Sequence, residues 1–278
     1  MITNSDVEPK PFLRWAGGKS WFTKKLNAFL PESFSNYYEP FLGAGSIFIH
    51  LKKNGLLKKK IFLSDTNNDL INAFQILRDY PNELVSDLKR FRNTEAAYYR
   101  IRNQQPTDKV ERAGRFLFLN RTSFNGIYRE NLKGIYNVPY GYKKYSNLFD
   151  IENLHAISEL LQGADLATTD FSTALQKVKK NDLIFLDPPY TVAHENNGFV
   201  KYNQKIFSWD DQIRLHKTAM EIDAKGAFFV MTNAYHQSIS DIYAKVPYQS
   251  LLQRYSVVGG SKAKRDKYHE IILTNVKC

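Results

Sequence analysis

The sequence predicts an α/β protein on three observations. Short strand-like runs alternate with amphipathic helical stretches, one long segment interrupts that alternation, and the last two strands have no helix between them. A helical pattern, "KSWFTKKLNAFL", precedes the first strand, "NYYEPF" (36–41). The glycines of "LGAGS" close that strand and open the helix "GSIFIHLKKNG". "KIFLSD" (60–65) is the second apolar run, and "NDLINAFQILRDY" after it carries apolar residues at helical spacing. "ADLATTD" (164–170), "DLIFLD" (182–187) and "GAFFVMTNA" (226–234) continue the series, with "SWDDQIRLHKTAMEI" as the helix before the last of them. "QRYSVV" (253–258) and "EIILTN" (270–275) then follow directly, which predicts an antiparallel hairpin at one sheet edge. Helices on both faces of a sheet are expected.

The alternation fails between about Ile71 and Asp165. That stretch holds helical segments and then "FLFLNRTSFNGIYRENLKGIYNVPYGYKKYSN", rich in Asn, Gly, Tyr and basic residues. It predicts a mainly helical insertion with an exposed hairpin or loop near 125–145. Residues 1–70 and 165–278 are therefore expected to form one domain, with 71–164 inserted as a second lobe whose ends are close together.

The 278 residues suffice for a large domain with such an insertion. A hydrophobic share of 43% and a charged share of 24% are ordinary for a globular protein. The net charge of +11 is not, and it points to a polyanionic partner, nucleic acid first and a membrane surface second. Cys278 is the one cysteine, so neither an internal disulfide nor a thiolate-rich zinc site can form. The six histidines lie scattered without ligand spacing, and no metal is expected. No apolar run approaches the ~20 residues of a membrane span, so a cytoplasmic, reducing compartment and no membrane partner are expected.

Four stretches bear on chemistry. In "LIFLDPPY" the strand must end at Asp187, because Pro188 cannot donate to a sheet ladder. A rigid turn with a solvated acid is the ordinary reading of an Asp-Pro pair. In "YYEPFLGAGSIF", Gly43 and Gly45 permit close backbone approach at a helix start, and Asp65 stands 20 residues beyond Gly45 at the end of the next strand, as an acid binding ribose hydroxyls would. A lone GAG also serves as a plain tight turn. "FLRWAGGK" sets Trp15, Gly17 and Gly18 before Lys19 without the upstream glycine of a phosphate-binding P-loop, leaving a second cofactor-approaching loop or a plain helix start. In the insertion, Arg121, Arg129, Lys133, Lys143 and Lys144 interleave with Phe124, Tyr128, Tyr136, Tyr140 and Tyr142, a mixture that neutralises phosphates and stacks on bases.

With "FLRWAGGK", "YYEPFLGAGSIF", "LSDTNNDLI", "NRTSFNGIYREN", "IYNVPYG" and "FLDPPY" in that order, the chain resembles the Dam-type DNA adenine-N6 methyltransferases from about Pro11 to Asn275. The resemblance implies a Rossmann-like class I methyltransferase sheet that binds S-adenosyl-L-methionine, with an inserted, mainly helical target-recognition domain for double-stranded DNA. It makes Trp15, Gly17, Lys19, Glu39, Phe41, Gly43 and Gly45 cofactor-loop residues, Asp65 the ribose acid, and Asp170 and Phe171 the partners of the cofactor's adenine. Asp187, Pro188, Pro189 and Tyr190 become the catalytic motif.

An exocyclic adenine amine is a poor nucleophile because its lone pair is conjugated into the ring. The Asp187 carboxylate and the Pro188 carbonyl would accept its hydrogens, and Tyr190 would stack on a base lifted out of the duplex. By the same resemblance Arg129 reads a guanine, Phe124 and Asn125 border the gap left by the flipped base, and Pro139 lies near a thymine methyl. Arg121, Tyr142 and Lys143 complete the expected DNA contacts. Tyr142 departs from the pattern, since many members carry a basic residue there to read an outer base pair; GATC is the expected target. The polar segment 191–209 is expected to order over DNA, and the basic turn in 259–270 to touch phosphate. Still open are amino methylation of cytosine or of RNA, a DNA-binding homologue without catalysis, and a cognate restriction endonuclease acting separately. A monomer or weak dimer is expected.

Overall fold

The computed structural model describes residues 7–131, 134–191, 207–255 and 267–277. Lys133, residues 192–206 of the segment expected to order over DNA and residues 259–266 of the basic turn expected to touch phosphate lie outside the described residues. In chain order the elements begin with α1 (Thr23–Leu26) and a 3-10 turn (Asn27–Phe29), then β1 (Tyr37–Glu39), α2 (Ser46–Lys53) and β2 (Ile61–Asp65). Five helices follow: α3 (Asn68–Asp79), α4 (Pro81–Leu88), α5 (Glu95–Arg102), α6 (Lys109–Thr122) and, after a 3-10 turn at Phe124–Gly126, α7 (Ile151–Leu161). Then come β3 (Ala164–Thr168), α8 (Phe171–Ala174), β4 (Leu183–Leu186), α9 (Trp209–Ala224) and β5 (Phe228–Ala234). The last elements are α10 (Gln237–Ile242), β6 (Tyr248–Tyr255) and β7 (Lys267–Thr274). Seven strands and their helices make the mixed α/β fold expected.

The chain divides into two compact units. The first comprises residues 1–23 and 42–169, and the second 24–41 and 170–278. The segment 71–164 lies wholly within the first unit, together with the parallel pair β2–β3, which runs in register from Ile61 opposite Ala164 to Asp65 opposite Thr168.

Local sequence sets the helices of the first unit. Asn67, Thr94, Asp108 and Asp150 each accept a backbone N–H of the first turn of α3, α5, α6 and α7. Pro81 starts α4, where its missing N–H costs nothing. Helix α6 is buried over much of its circumference, through Ala113, Gly114, Phe116, Leu117, Phe118 and Leu119. Phe118 stacks on Phe91 at 4.8 Å between centroids, and each such buried ring stabilises by about 2 kcal/mol. Polar bonds tie α3 to β3: Gln75 donates to the Leu166 carbonyl at 3.0 Å and Arg78 to that of Ala164 at 2.6 Å.

In the second unit β1, β4 and β5 run parallel, and β7 and β6 continue the sheet antiparallel in the order β1-β4-β5-β7-β6. The edge hairpin is thus as expected. Every residue of β4 is buried, as its unbroken apolar run requires of a strand covered on both faces. Ser208 and Asp211 cap α9 reciprocally, and Asn275 donates to the Ala227 carbonyl at 2.8 Å, tying the end of the chain to the start of β5. No helix among the described residues is long and apolar enough to cross a membrane.

Helix α6 meets α4 at Gly114, where a Cβ would stand 1.9 Å from Asp87 Oδ2. Asp87 Oδ1 pairs with Arg90 Nε at 2.9 Å, while Oδ2 is buried without a partner among the described residues. Burial pushes this carboxyl up to about 6, against the attraction of Arg90. A folded-state pKa above the unfolded one means that stability falls as pH rises from about 4 to about 6, where only the unfolded chain ionises. Asp87→Asn is expected to flatten that fall and to gain ~1 kcal/mol at pH 7 in urea titrations. Equal pH dependence in both proteins would refute the assignment. Gly114→Ala is expected to destabilise at every pH.

Candidate active site

In the first unit several of the residues predicted for the cofactor lie at the carboxyl end of β2. Asp65 ends that strand, and its carboxylate accepts Gly43 N–H through Oδ2 at 3.1 Å and Asn67 N–H through Oδ1 at 3.0 Å. Burial pushes the Asp65 carboxyl above the usual range, opposed by the backbone N–H groups of Asn67, Gly43 and Thr66. The turn it holds carries two left-handed glycines, Gly43 at φ 48° and Gly45 at φ 68°. Leu42 N–H donates to the Ser64 carbonyl at 2.9 Å and Gly45 N–H to that of Leu42 at 2.8 Å. Gly45 caps α2 without a side chain, so the first amides of the helix keep their positive end for a ligand.

Trp15 closes over this turn. A Cβ on Gly43 would lie 2.9 Å from Trp15 Cδ1, so only glycine permits the approach. The indole stacks on Tyr128 at 5.7 Å and tilts against Phe116 at 6.3 Å. Beyond it Gly17 takes φ 80°, and Lys19, a buried lysine, donates to the Gly17 carbonyl at 2.8 Å. Ser20 and Ser46 hydroxyls meet at 3.3 Å, tying the Trp15–Lys19 loop to the first residue of α2.

In the second unit Glu39 ends β1, buried, and accepts the Tyr37 hydroxyl at 2.7 Å. Burial first, and then the Glu39 carboxylate, hold the Tyr37 phenol well above its ordinary value. Phe41, Phe171 and Phe207 form a ring cluster with centroids 5.5 to 5.9 Å apart. Asp170 caps α8, and both its oxygens are engaged: Oδ1 with Ser172 N–H and hydroxyl and with Arg214 Nη1 at 2.7 Å, Oδ2 with Arg214 Nη2 at 2.9 Å. Burial pushes the Asp170 carboxyl up, but Arg214 and Ser172 outweigh it and hold it below the usual range. The same guanidinium lies 4.3 Å over the Phe171 ring and bonds Asp211 at 2.8 Å. Sequence reading missed Arg214, which stands 44 residues from Asp170.

Asp187 follows the last residue of β4, half-buried, and its Oδ1 accepts the Thr232 hydroxyl at 2.7 Å. Pro188 is buried and Pro189 and Tyr190 are half-buried. Thr232, inside β5, was also invisible in the sequence.

The predicted DNA residues lie on and around the segment that follows α6 in the first unit. Antiparallel bridges join Ser123 to Tyr140 and Glu130 to Tyr136, forming the expected hairpin. Phe124 N–H donates to the Pro139 carbonyl at 2.9 Å, which sets these two residues side by side. Phe124, Asn125, Arg129, Pro139, Tyr142 and Lys143 are all exposed, and Arg121 is half-buried. Asn125 and Tyr142 hold left-handed backbone, at φ 56° and 52°. The Arg129 guanidinium is oriented by Asn137, which accepts its Nε at 2.8 Å. Tyr142 bonds Glu95 through its hydroxyl. Arg14, not anticipated, lies near the same ring as Arg121. Its backbone N–H and carbonyl are both clasped by the Asn120 side chain, and its guanidinium lies 5.5 Å from the Tyr145 ring, which Arg121 also covers at 4.4 Å. Partial burial and the charges of Arg14 and Arg121 lower the Lys143 pKa.

Comparison with known proteins gives a consistent picture. Residues 15–258 match the family described as D12 class N6 adenine-specific DNA methyltransferase. The type II methyltransferase M.MjaIII of Methanocaldococcus jannaschii is 30% identical over 289 residues, covering 97% of this chain and 100% of that protein. The type II methyltransferase M1.LlaDCHI of Lactococcus lactis subsp. cremoris is also 30% identical, covering 99% and 98%. A DNA adenine methylase of Haemophilus influenzae is 30% identical over 96% of this chain and 93% of its own.

Gly43→Ala is expected to drive a methyl group into Trp15 and to strain a left-handed residue. The two effects should lower the melting temperature by about 3–6 °C and alter Trp15 fluorescence. An unchanged melting curve would show that the loop yields without cost.

Proposed function

The chain belongs to the D12 class of N6 adenine-specific DNA methyltransferases, and from that premise we propose that it methylates the adenine of GATC in duplex DNA after lifting that base from the stack. The observation that carries this reading is Asp187: a half-buried carboxylate at the carboxyl end of a fully buried strand, one oxygen held at 2.7 Å by Thr232 and the chain beyond stiffened by two prolines.

The methyl donor of such an enzyme is S-adenosyl-L-methionine, which supplies an electrophilic methyl group on a sulfonium when bound. The residues present fit it. Within the first unit the uncapped start of α2 and the close glycine turn suit a carboxylate and Asp65 suits ribose hydroxyls; within the second unit, taken by itself, Asp170 suits an adenine amine. Asp170 Oδ1 already accepts three donors, whereas Oδ2 accepts Arg214 Nη2 and keeps a lone-pair site for an amine.

The chain's own task is then positioning. The Asp187 carboxylate and the Pro188 carbonyl accept the two amine hydrogens, which favours tetrahedral nitrogen and directs its lone pair away from the ring. The nitrogen would gain positive charge as its bond to the methyl group forms and the donor's S–CH3 bond breaks, leaving a neutral thioether, and the Asp187 carboxylate would stabilise that charge before the proton departs to solvent. Tyr190 offers a face for the lifted base, and the bend at Pro188 keeps the acceptors at fixed φ.

We assign target reading to the insertion, residues 71–164. Arg129, its plane set by Asn137, suits bidentate pairing with a guanine edge. Exposed Phe124 with Asn125 suits the space vacated by the adenine, and Pro139 a thymine methyl. Arg121 and Lys143 neutralise phosphates, in keeping with the charge of +11. Tyr142 stands where an outer base pair would be read. The reading locates the protein in the cytoplasm of a bacterial or phage-infected cell, where its DNA is.

Asp187→Ala is expected to lower methyl transfer to unmethylated plasmid by on the order of 10³-fold while leaving cofactor binding intact. Loss of both together would make Asp187 a cofactor ligand or a structural residue. Nucleases sensitive to GATC methylation should distinguish the treated plasmid, and modified adenines mapped elsewhere would refute the target. Arg129→Ala should cost about 1–3 kcal/mol of discrimination at the guanine it reads.

A further inference from the structure

We propose that Thr232 is a positioning residue for methyl transfer, its buried hydroxyl fixing the rotation of Asp187. The inference rests on the reading of Asp187 as the acceptor of the amine hydrogens and adds how that acceptor is aimed. Strands β4 and β5 are parallel with Leu186 opposite Met231, so the next residues, Asp187 and Thr232, come level. Asp187 has already left the ladder, because Pro188 allows no further pairing, and its backbone alone does not aim the side chain.

Thr232 is held from every side. It is fully buried, and its backbone lies opposite Ile272 of β7. Next to it Asn233, also buried, donates to Gln212 Oε1 at 3.3 Å, and Gln212 accepts Tyr243 at 3.1 Å, which anchors the end of β5 to α9. A β-branched residue in that setting has a stiff χ1, and its single hydroxyl proton is committed to Asp187 Oδ1 at 2.7 Å.

The bond fixes the plane of the carboxylate, so that its acceptor lone pairs present one geometry to the amine.

The test compares Thr232→Val, which keeps the shape and loses the donor, with Thr232→Ser, which keeps the donor, alongside Asp187→Asn. Methyl transfer to plasmid DNA is followed at saturating cofactor. Thr232→Val is expected to lower kcat about 10–100-fold and to leave the KM for cofactor unchanged. Thr232→Ser is expected to recover most of the rate. Wild-type kcat in Thr232→Val, with Asp187→Asn inactive, overturns the inference. Full activity in Asp187→Asn overturns instead the reading of Asp187 beneath it. Should Thr232→Val fail to fold, Thr232→Ala against Thr232→Ser decides: equal loss in both reduces Thr232 to packing.

Discussion

Strand β4 can run no further than Leu186, because Pro188 has no N–H to give a ladder, and the catalytic proposal depends on that stop. Every residue of β4 is buried, so the position of the strand is fixed by packing on both faces and the strand cannot slide to lengthen itself. The first residue past the stop is therefore delivered to one place at the carboxyl end of the sheet, where ligands bind in open α/β folds. Its neighbour β5 continues past that level and carries Thr232, whose hydroxyl meets it at 2.7 Å. One residue that cannot pair thus sets the position of a carboxylate, and one buried hydroxyl on the longer strand sets its rotation.

A second constraint acts in the first unit, where backbones approach more closely than side chains allow. Gly43 accommodates Trp15, Gly126 accommodates Arg14, whose Cβ would stand 2.7 Å from a methyl there, and Gly141 accommodates the Ser123 carbonyl at 2.5 Å from such a methyl. Through these contacts and the Asn120 clasp on Arg14, the N-terminal stretch, helix α6 and the hairpin of residues 123–140 are locked together. Trp15 and Tyr128 consequently stack on one another, which joins the loop before α1 to the residues after α6.

Much of this was legible in the chain. Apolar runs of four or more residues marked the strands, and the glycine turn, Asp65 and the basic aromatic stretch stood out because their residue types are costly unless used. Element ends were less legible. The first helix was expected over 19–30 and spans only Thr23–Leu26 before a 3-10 turn, because Lys19 and Ser20 are spent closing the Trp15 loop. The strand expected at 253–258 begins at Tyr248, since pairing with β7, Tyr248 opposite Thr274, holds a stretch whose polar and apolar mixture gives no clear signal. Local pattern decides that an element exists, and its tertiary partner decides where it stops.

By itself the sequence determined the order of strands and helices, the stop at Pro188, the positive charge and the family to which the chain belongs, since these rest on neighbouring residues and on the types present. Tertiary structure decided the contacts that join distant positions: Thr232 to Asp187 across 45 residues, Arg214 to Asp170 across 44, and Asn120 to Arg14 across 106. A threonine in an apolar strand, or an arginine on an amphipathic helix, carries no local mark of its partner. Only parallel register and helix packing bring the two within 3 Å, and the physical reason is that a hydrogen bond is specified by position in space rather than by spacing along the chain.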